Sequence, residues 1–168
     1  MFGYEGFAIF SDCDMLLLDD PAKLWDLKDD KYAIQCVQHD FTPRTDVKFL
    51  GAEQTTYARK CWSSVMIMNC ARLTMLTPEY VNTASGLDLH QFKFLDDSLI
   101  GEIPARWNKL VGYDDIEDPA LVHWTEGGPY FEGYENVEHA KDYWHYNNLM
   151  NHVQDAAKHE GMARAMAS

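Results

Sequence analysis

The sequence lacks several features that would assign it at once to a class of protein. Basic residues are few: 14 lysines and arginines stand against 27 aspartates and glutamates, which gives a formal net charge of −13. Non-specific binding to nucleic acid or to an anionic membrane surface needs a basic patch, so this composition argues against both kinds of partner. It does not exclude a phosphate-bearing ligand, because a bound divalent cation can invert the local charge.

Long apolar runs and paired-cysteine spacings are also missing. No apolar run approaches the roughly 20 residues of a membrane span. The beginning, MFGYEGFAIF, has neither the basic region nor the small-residue cleavage site of a signal peptide. The four cysteines show no CxxC spacing, and Cys36 and Cys61 lie in apolar runs. This pattern predicts free, buried thiols and a cytoplasmic location, where thiols stay reduced.

The sequence does contain enough apolar material for a folded core. Hydrophobic residues make up 46% of the 168 residues, which predicts a single domain over 1–168. Short apolar runs predict buried strands over 7–11, 32–38, 61–69 and 120–125. Because helices and loops separate these strands, the pattern predicts an α/β protein with a mixed sheet and flanking helices.

Helices and one long loop are predicted around these strands. Asp20-Pro21 is typical of a helix start, with aspartate as the N-cap and proline in the first turn. Short helices are predicted near 78–85 and at Leu99-Ile100, and a terminal helix is predicted over 137–160. Residues 41–60 have no clear period, which predicts a long functional loop with a small hairpin.

The stretch FSDCDMLLLDDP places Asp12 and Asp14 at the end of the first predicted strand. Residues two apart on an extended chain point the same way, and two like charges ~4 Å apart repel by about 4 kcal/mol. A divalent metal bound by the carboxylates offsets this repulsion, whereas exposure to water is the simpler alternative. His123 ends a later strand and is either a third ligand or a core histidine. The Gly127-Gly128 turn that follows can offer backbone amides to phosphate, or can be an ordinary turn.

Two further stretches carry polar residues with two readings each. Trp62 offers a stacking face for a sugar beside the hydroxyls of Ser63 and Ser64, but the same residues suit the polar start of a core strand. Asp96 and Asp97 can stabilise a reacting sugar, or can serve as the N-cap and first-turn acid of the next helix.

The order of these motifs resembles that of the metal-dependent glycosyltransferases of the GT-A type, in particular family 8. In that family a DxD strand precedes an L-W-D-L-like helix, a NAGVMLIN-like strand, DQD, LPxxWN and HFxGxxKPW. The corresponding stretches here are DCD, LWDL, WSSVMIMN, LDD, IPARWN and HWTEGGPYF. They occur in the same order within residues 3–144, so the resemblance implies a GT-A-like fold and transfer of a sugar.

The resemblance also implies a role for each matched position. Asp12, Asp14 and His123 match the family's metal ligands, which implies Mn²⁺ or Mg²⁺ as cofactor. A UDP-sugar is the implied donor, and a glycan or another hydroxyl compound is the implied acceptor. Asp96 and Asp97 match acidic catalytic positions. The positions that match substrate-binding segments are Trp62, Ser63, Ser64, His39, Asp40, Gly127 and Gly128.

Two departures from the family pattern add further expectations. The lysine that precedes the family's final Pro-aromatic pair is replaced here by Gly128. Only eleven residues precede Asp12, where the family has the half that holds uracil and ribose. The sequence therefore predicts an N-terminally truncated form, with a second copy or the missing half as expected partner. Two other functions stay open: a haloacid-dehalogenase-like phosphohydrolase, which also begins with a strand and DxD, and a non-catalytic remnant.

Overall fold

The structure is a computed structural model that describes residues 2–152 of the chain. The chain divides into two compact units, residues 1–127 and residues 128–168. The prediction of one domain over 1–168 stays a prediction, because compactness alone does not test independent folding. Within residues 2–152, no helix has both the length and the apolar character needed to cross a bilayer.

Two small sheets form the centre of the first unit. Among the described residues their strands are β1 Phe7–Ser11, β2 Met15–Leu17, β3 Ile34–Cys36, β4 Val65–Asn69, β5 Ile100–Glu102, β6 Lys109–Leu110 and β7 Leu121–His123. The larger sheet has the order β1-β4-β3-β5, and its β3-β5 pair is parallel. The smaller sheet has the order β2-β7-β6, with β2 antiparallel and β6 parallel to β7. This arrangement confirms the predicted mixed α/β class.

The described residues also form four helices, and side chains cap the first turn of three of them. The helices are α1 Pro21–Trp25, α2 Pro78–Thr83, α3 Gly86–His90 and α4, which covers residues 140–152. Asp20 caps α1 by accepting a hydrogen bond of 2.8 Å from the backbone of Ala22, as the sequence predicts. Thr77 and Ser85 cap α2 and α3 in the same way.

The core consists of two apolar clusters that use alternate residues of β4. Val65 and Ile67 belong to one cluster, together with Leu24, Trp107 and Leu121. Met68 belongs to the other, which also contains Ile34, Leu73, Phe92 and Ile100. Since successive side chains of a strand point to opposite faces, β4 is covered on both sides, which explains its nearly continuous apolar sequence.

The predicted helix at Leu99-Ile100 is wrong. Asp97–Leu99 form a single 3₁₀ turn, and Ile100 begins β5, where it pairs with Ile34 of β3. Three residues between Asp96 and the β-branched Ile100 are too few for a helix, and the isoleucine fills the core instead.

Other predicted elements are confirmed with shorter bounds. The strand predicted over 61–69 begins at Val65, because Trp62–Ser64 form a 3₁₀ turn. The hairpin predicted in the loop over 41–60 is present as a bridge between Val47 and Glu53. The terminal helix begins at residue 140, after His139 with a φ of 63°, and its predicted end lies outside the described residues.

Candidate functional site

The strand pairing brings Asp12, Asp14 and His123 together. Asp12 follows β1, and its backbone amide donates to the carbonyl of Ser64 over 2.9 Å. Asp14 precedes β2, whose first residue, Met15, pairs directly with His123 of β7. One ligand atom from each of Asp12, Asp14 and His123 lies within 4.8 Å of the others. The two ends of the chain's first unit thus meet in a single cluster of potential metal ligands.

The electrostatics of the two carboxylates differ. Burial raises the pKa of Asp12 above its usual range, and the charge of His123 offsets only part of that rise. Burial acts on Asp14 in the same direction, but its interaction with His123 outweighs it and lowers the pKa of Asp14. The Nε2 atom of His123 lies 3.6 Å from Asp14 Oδ1, and the His123 side chain is buried.

Asn108 fixes the orientation of the His123 ring. Its side-chain amide nitrogen donates to the carbonyl of Cys61 over 3.2 Å and to Ser64 Oγ over 2.8 Å. A carbonyl oxygen can only accept a hydrogen bond. Ser64 Oγ donates its own proton to the same Cys61 carbonyl over 2.6 Å, so it can only accept from Asn108. The amide oxygen of Asn108 must therefore be the atom that faces His123 Nδ1, at 3.1 Å.

This orientation determines which nitrogen of His123 carries the proton. An amide oxygen accepts hydrogen bonds only, so Nδ1 must be the protonated atom. In the neutral ring, Nε2 then presents a lone pair toward the carboxylate of Asp14, which is repulsive unless a cation or a proton lies between them. Two carboxylates and a neutral imidazole nitrogen are a donor set that divalent metals accept, so the residues present fit a metal ion.

The ligand cluster opens into a polar cavity of about 220 Å³. Its walls combine both signs of charge with several neutral polar groups. The lining residues are Asp12, Asp14, Lys48, Gln54, Tyr57, Lys60, Cys61, Ser63, Ser64, His90, His123 and Thr125. A cavity of this character suits a small charged or hydroxyl-rich ligand better than an apolar one.

The predicted sugar-binding segment is divided by the structure. Ser63 lines the cavity and pairs with His90 Nδ1 over 2.8 Å. Ser64 also lines the cavity, but its hydroxyl donates to the carbonyl of Cys61 and is not free to donate to a ligand. Trp62 is not among the described residues that line the cavity. Its indole nitrogen donates to the carbonyl of His39 over 2.8 Å.

His39 and Asp40 lie away from the cavity wall as the structure describes it. The His39 side chain is buried, and this burial lowers its pKa to about 4 although Asp114 lies 3.9 Å away. Its Nε2 has no hydrogen-bond partner among the described residues. Asp40 is exposed. Acceptor binding by either residue stays a prediction.

Asp96 and Asp97 are the N-cap and the first-turn acid of a helical turn, which is the structural role that the sequence offered beside catalysis. Asp96 caps the 3₁₀ turn before β5 by accepting from the backbone of Ser98 over 2.9 Å. The Ser98 hydroxyl donates to the same oxygen over 2.6 Å, and this bond together with the backbone bond lowers the pKa of Asp96. Asp97 is paired with the guanidinium of Arg59 over 2.6 Å. Neither aspartate is among the described residues that line the cavity. Their catalytic role stays a prediction.

The glycine turn straddles the boundary of the two units. Gly127 ends the first unit, where its amide donates to the carbonyl of Trp124 over 3.1 Å. Gly128 begins the second unit, and a Cβ atom there would overlap the exposed ring of Tyr130, so a larger residue would require that ring to shift. Phosphate binding by this turn stays a prediction.

Several residues of the site escaped the sequence interpretation, among them Asn108, Lys48 and Lys60. Asn108 ends the IPARWN motif, so the motif itself was a signal, but it does not reveal which atoms the asparagine holds. The two lysines belong to the loop over 41–60, which has no periodic pattern. Only the folded chain shows that both face the cavity.

Comparison with known proteins identifies similar chains, although no protein-family model matches. Protein CDI of Arabidopsis thaliana is 48% identical over 149 residues, which cover 84% of this chain and 57% of the relative. The chain therefore spans little more than half the length of this curated relative.

Similar solved structures come from glycosyltransferases. The glycosyltransferase GlyE of Streptococcus pneumoniae TIGR4 matches 84% of this chain and 40% of its own, with a TM-score of 0.57 and 15% identity. The galactosyltransferase LgtC, in complex with donor and acceptor sugar analogs, matches 77% of this chain and 56% of its own, with a TM-score of 0.51 and 13% identity. The chain thus has the mixed α/β fold of GT-A glycosyltransferases.

Proposed function

We propose that the protein is a metal-dependent glycosyltransferase that moves a sugar from a nucleoside-diphosphate sugar, such as a UDP-sugar, to an acceptor hydroxyl. The observation that carries the proposal is the cluster of Asp12, Asp14 and His123 at the wall of a polar cavity. The cavity lies in a fold shared with glycosyltransferases, which agrees with this chemistry but does not by itself assign it.

Three side chains form the proposed metal site, and Asn108 orients one of them, His123. Asp12, Asp14 and His123 would hold a divalent ion, which supplies Lewis-acid stabilisation of the leaving diphosphate. The imidazole in the donor set favours Mn²⁺ slightly over Mg²⁺. Asn108 keeps the Nε2 lone pair of His123 directed toward Asp14, so the ligand orientation exists before any ion binds.

The remaining polar groups of the cavity suit the sugar and the acceptor. Ser63 and His90 form a hydrogen-bonded pair at the wall and offer a hydroxyl and an imidazole to ligand hydroxyls. Gln54 and Thr125 are buried and add further polar atoms. Such groups orient a donor so that an acceptor hydroxyl can attack the anomeric carbon while the sugar–phosphate bond breaks.

The test measures binding and turnover on the full chain. With Mn²⁺ and UDP at a hundredfold excess over Kd, we expect Tm to rise by roughly 5–10 °C. Asp14→Asn should abolish this rise, because it removes a charged metal ligand, while the exposed Asp30→Asn should retain it. Release of UDP from UDP-sugars should require Mn²⁺ and Asp14. No shift and no turnover with a well-folded protein would refute the proposal.

A further inference from the structure

Two lysines line the same cavity as the metal-ligand cluster, and the proposed metal site does not use them. Lys48 is half-buried and Lys60 is 9% exposed, and both line the cavity that contains Asp12 and Asp14. Among the described residues neither ammonium group forms an ion pair with either aspartate. Lys48 acts electrostatically on Asp14 without such a contact, so within residues 2–152 neither lysine forms a close ion pair.

The surrounding loop holds both lysines in place. The backbone of Lys48 donates to Ala52 over 2.9 Å, which closes the hairpin at 47–53. The neighbouring Phe49 donates to the carbonyl of Glu126, beyond β7, over 2.9 Å, and this contact ties the hairpin to the strand that carries His123. The ammonium of Lys60 donates to the carbonyl of Thr55. Lys60 is thus held at its ammonium group, whereas Lys48 is held at its backbone and its Nζ lies 5.4 Å from the centroid of the Phe49 ring.

Placing two cations near each other in a partly buried cavity is costly. Burial lowers the pKa of Lys60, and the charge of Lys48 adds to this effect. A buried ammonium needs a counter-charge to offset its lost hydration. The ammonium of Lys60 meets only a neutral carbonyl, that of Thr55, which supplies no counter-charge. An anion bound in the cavity would supply the counter-charge for the two lysines.

The charge balance of the cavity indicates the charge of that anion. Asp12 and Asp14 together carry two negative charges, and Lys48 and Lys60 carry two positive charges, so the cavity is formally neutral with its histidines uncharged. A divalent cation on the carboxylates would leave an excess of two positive charges. An anion with about two negative charges restores neutrality, and the diphosphate of a nucleotide sugar has that charge.

From this geometry we infer that Lys48 and Lys60 bind the diphosphate in the cavity that also contains the metal ligands. The inference rests on the proposed function for the identity of the anion. It also accounts for a departure in the sequence, because the lysine that precedes the final Pro-aromatic pair in similar enzymes is Gly128 here. The loop over 41–60 supplies the cations from a different part of the chain.

The test uses pyrophosphate, which carries a diphosphate without nucleoside or sugar. Binding of pyrophosphate to the Mn²⁺-loaded full chain is measured by calorimetry for the wild type, Lys48→Gln and Lys60→Met. We expect each substitution to weaken pyrophosphate binding about tenfold, because each removes one charge-assisted contact. Binding of Mn²⁺ alone should stay equal or become tighter. Lys93→Gln removes an exposed lysine outside the cavity and should change neither.

Several results would overturn the inference. They are failure of the Mn²⁺-loaded wild type to bind pyrophosphate, unchanged binding in both cavity variants, or an equal loss in Lys93→Gln. If Lys60→Met fails to fold, Lys48→Gln alone decides the question. Lysine-dependent pyrophosphate binding without turnover of any nucleotide sugar would support the anion site and refute the proposed transferase, so the two failures are distinguishable.

Discussion

At the scale of single residues, the site depends on how Asn108 holds His123. We predict that Asn108→Leu removes the preference for a proton on Nδ1 of His123 and weakens Mn²⁺ binding about 10- to 100-fold, as the loss of a hydrogen bond to a metal ligand does. The ¹⁵N chemical shifts of the His123 ring in the metal-free protein report the tautomer directly, and a Mn²⁺ titration reports the affinity.

The control for this prediction is Asn108→Asp. A carboxylate can still accept from His123 Nδ1, but it cannot donate to Cys61 and Ser64. This variant should keep the tautomer while it loses about 1–3 kcal/mol in the free energy of unfolding, since buried acceptors lose their donor. An unchanged tautomer in Asn108→Leu would mean that another group sets the ring's orientation.

The cluster of potential metal ligands could be predicted from the sequence, whereas the groups that support it could not. Asp12, Asp14 and His123 are chemically distinctive, and each lies beside a recognisable strand. Asn108 acts through partners 15 and 44 residues away, and no local pattern records such distant contacts. The sequence left two roles open for Asp96; the structure shows the cap, and the catalytic role stays a prediction.

At the scale of elements, the pairing of β3 with β5 depends on a glycine. A Cβ atom on Gly101 would lie 2.5 Å from the Tyr32 ring and 2.9 Å from Gln35 Cγ. Gln35 cannot move freely, because its side chain bonds the backbone of Leu27 and Asp29. We therefore predict that Gly101→Ala lowers the free energy of unfolding by about 1–3 kcal/mol, measured by urea denaturation.

Gly86→Ala is the matched control for the β3-β5 pairing. Gly86 is the first residue of α3, and a Cβ atom there would meet nothing within 4 Å. Alanine favours helix over glycine, so this substitution should leave the stability unchanged or raise it by up to about 1 kcal/mol. An unchanged stability in Gly101→Ala would show that movement of Tyr32 relieves the close contact and would contradict the prediction.

The elements themselves were predicted more reliably than their lengths. Alternation and capping located β1, β4 and α1, because these signals are local. The strand over 61–69 was predicted too long, because Cys61 adopts a left-handed conformation with a φ of 66°. No pattern of residue types in the sequence indicates this conformation at a cysteine. The pairing of β2 with β7, which creates the site, joins segments more than 100 residues apart.

At the scale of the whole molecule, three cysteines report on the integrity of the core. Cys36, Cys61 and Cys70 are buried, and Cys13 is exposed between the two aspartates of the site. Burial raises the pKa of Cys36 to about 12 and that of Cys61 to about 11, which suppresses the reactive thiolate. The absence of disulfides among the four cysteines agrees with the sequence prediction of free thiols.

We accordingly predict that one thiol per chain reacts rapidly with an aromatic disulfide reagent in the native protein, and that all four react after unfolding in urea. Cys13→Ser should abolish the rapid phase and leave the slow one, since the core thiols become accessible only when the structure opens. Because the buried cysteines lie before, within and after the strands of the larger sheet, their common slow rate would measure opening of the sheet as a unit. Reaction of two or more thiols at the rate of Cys13 would show that the core around the site opens locally.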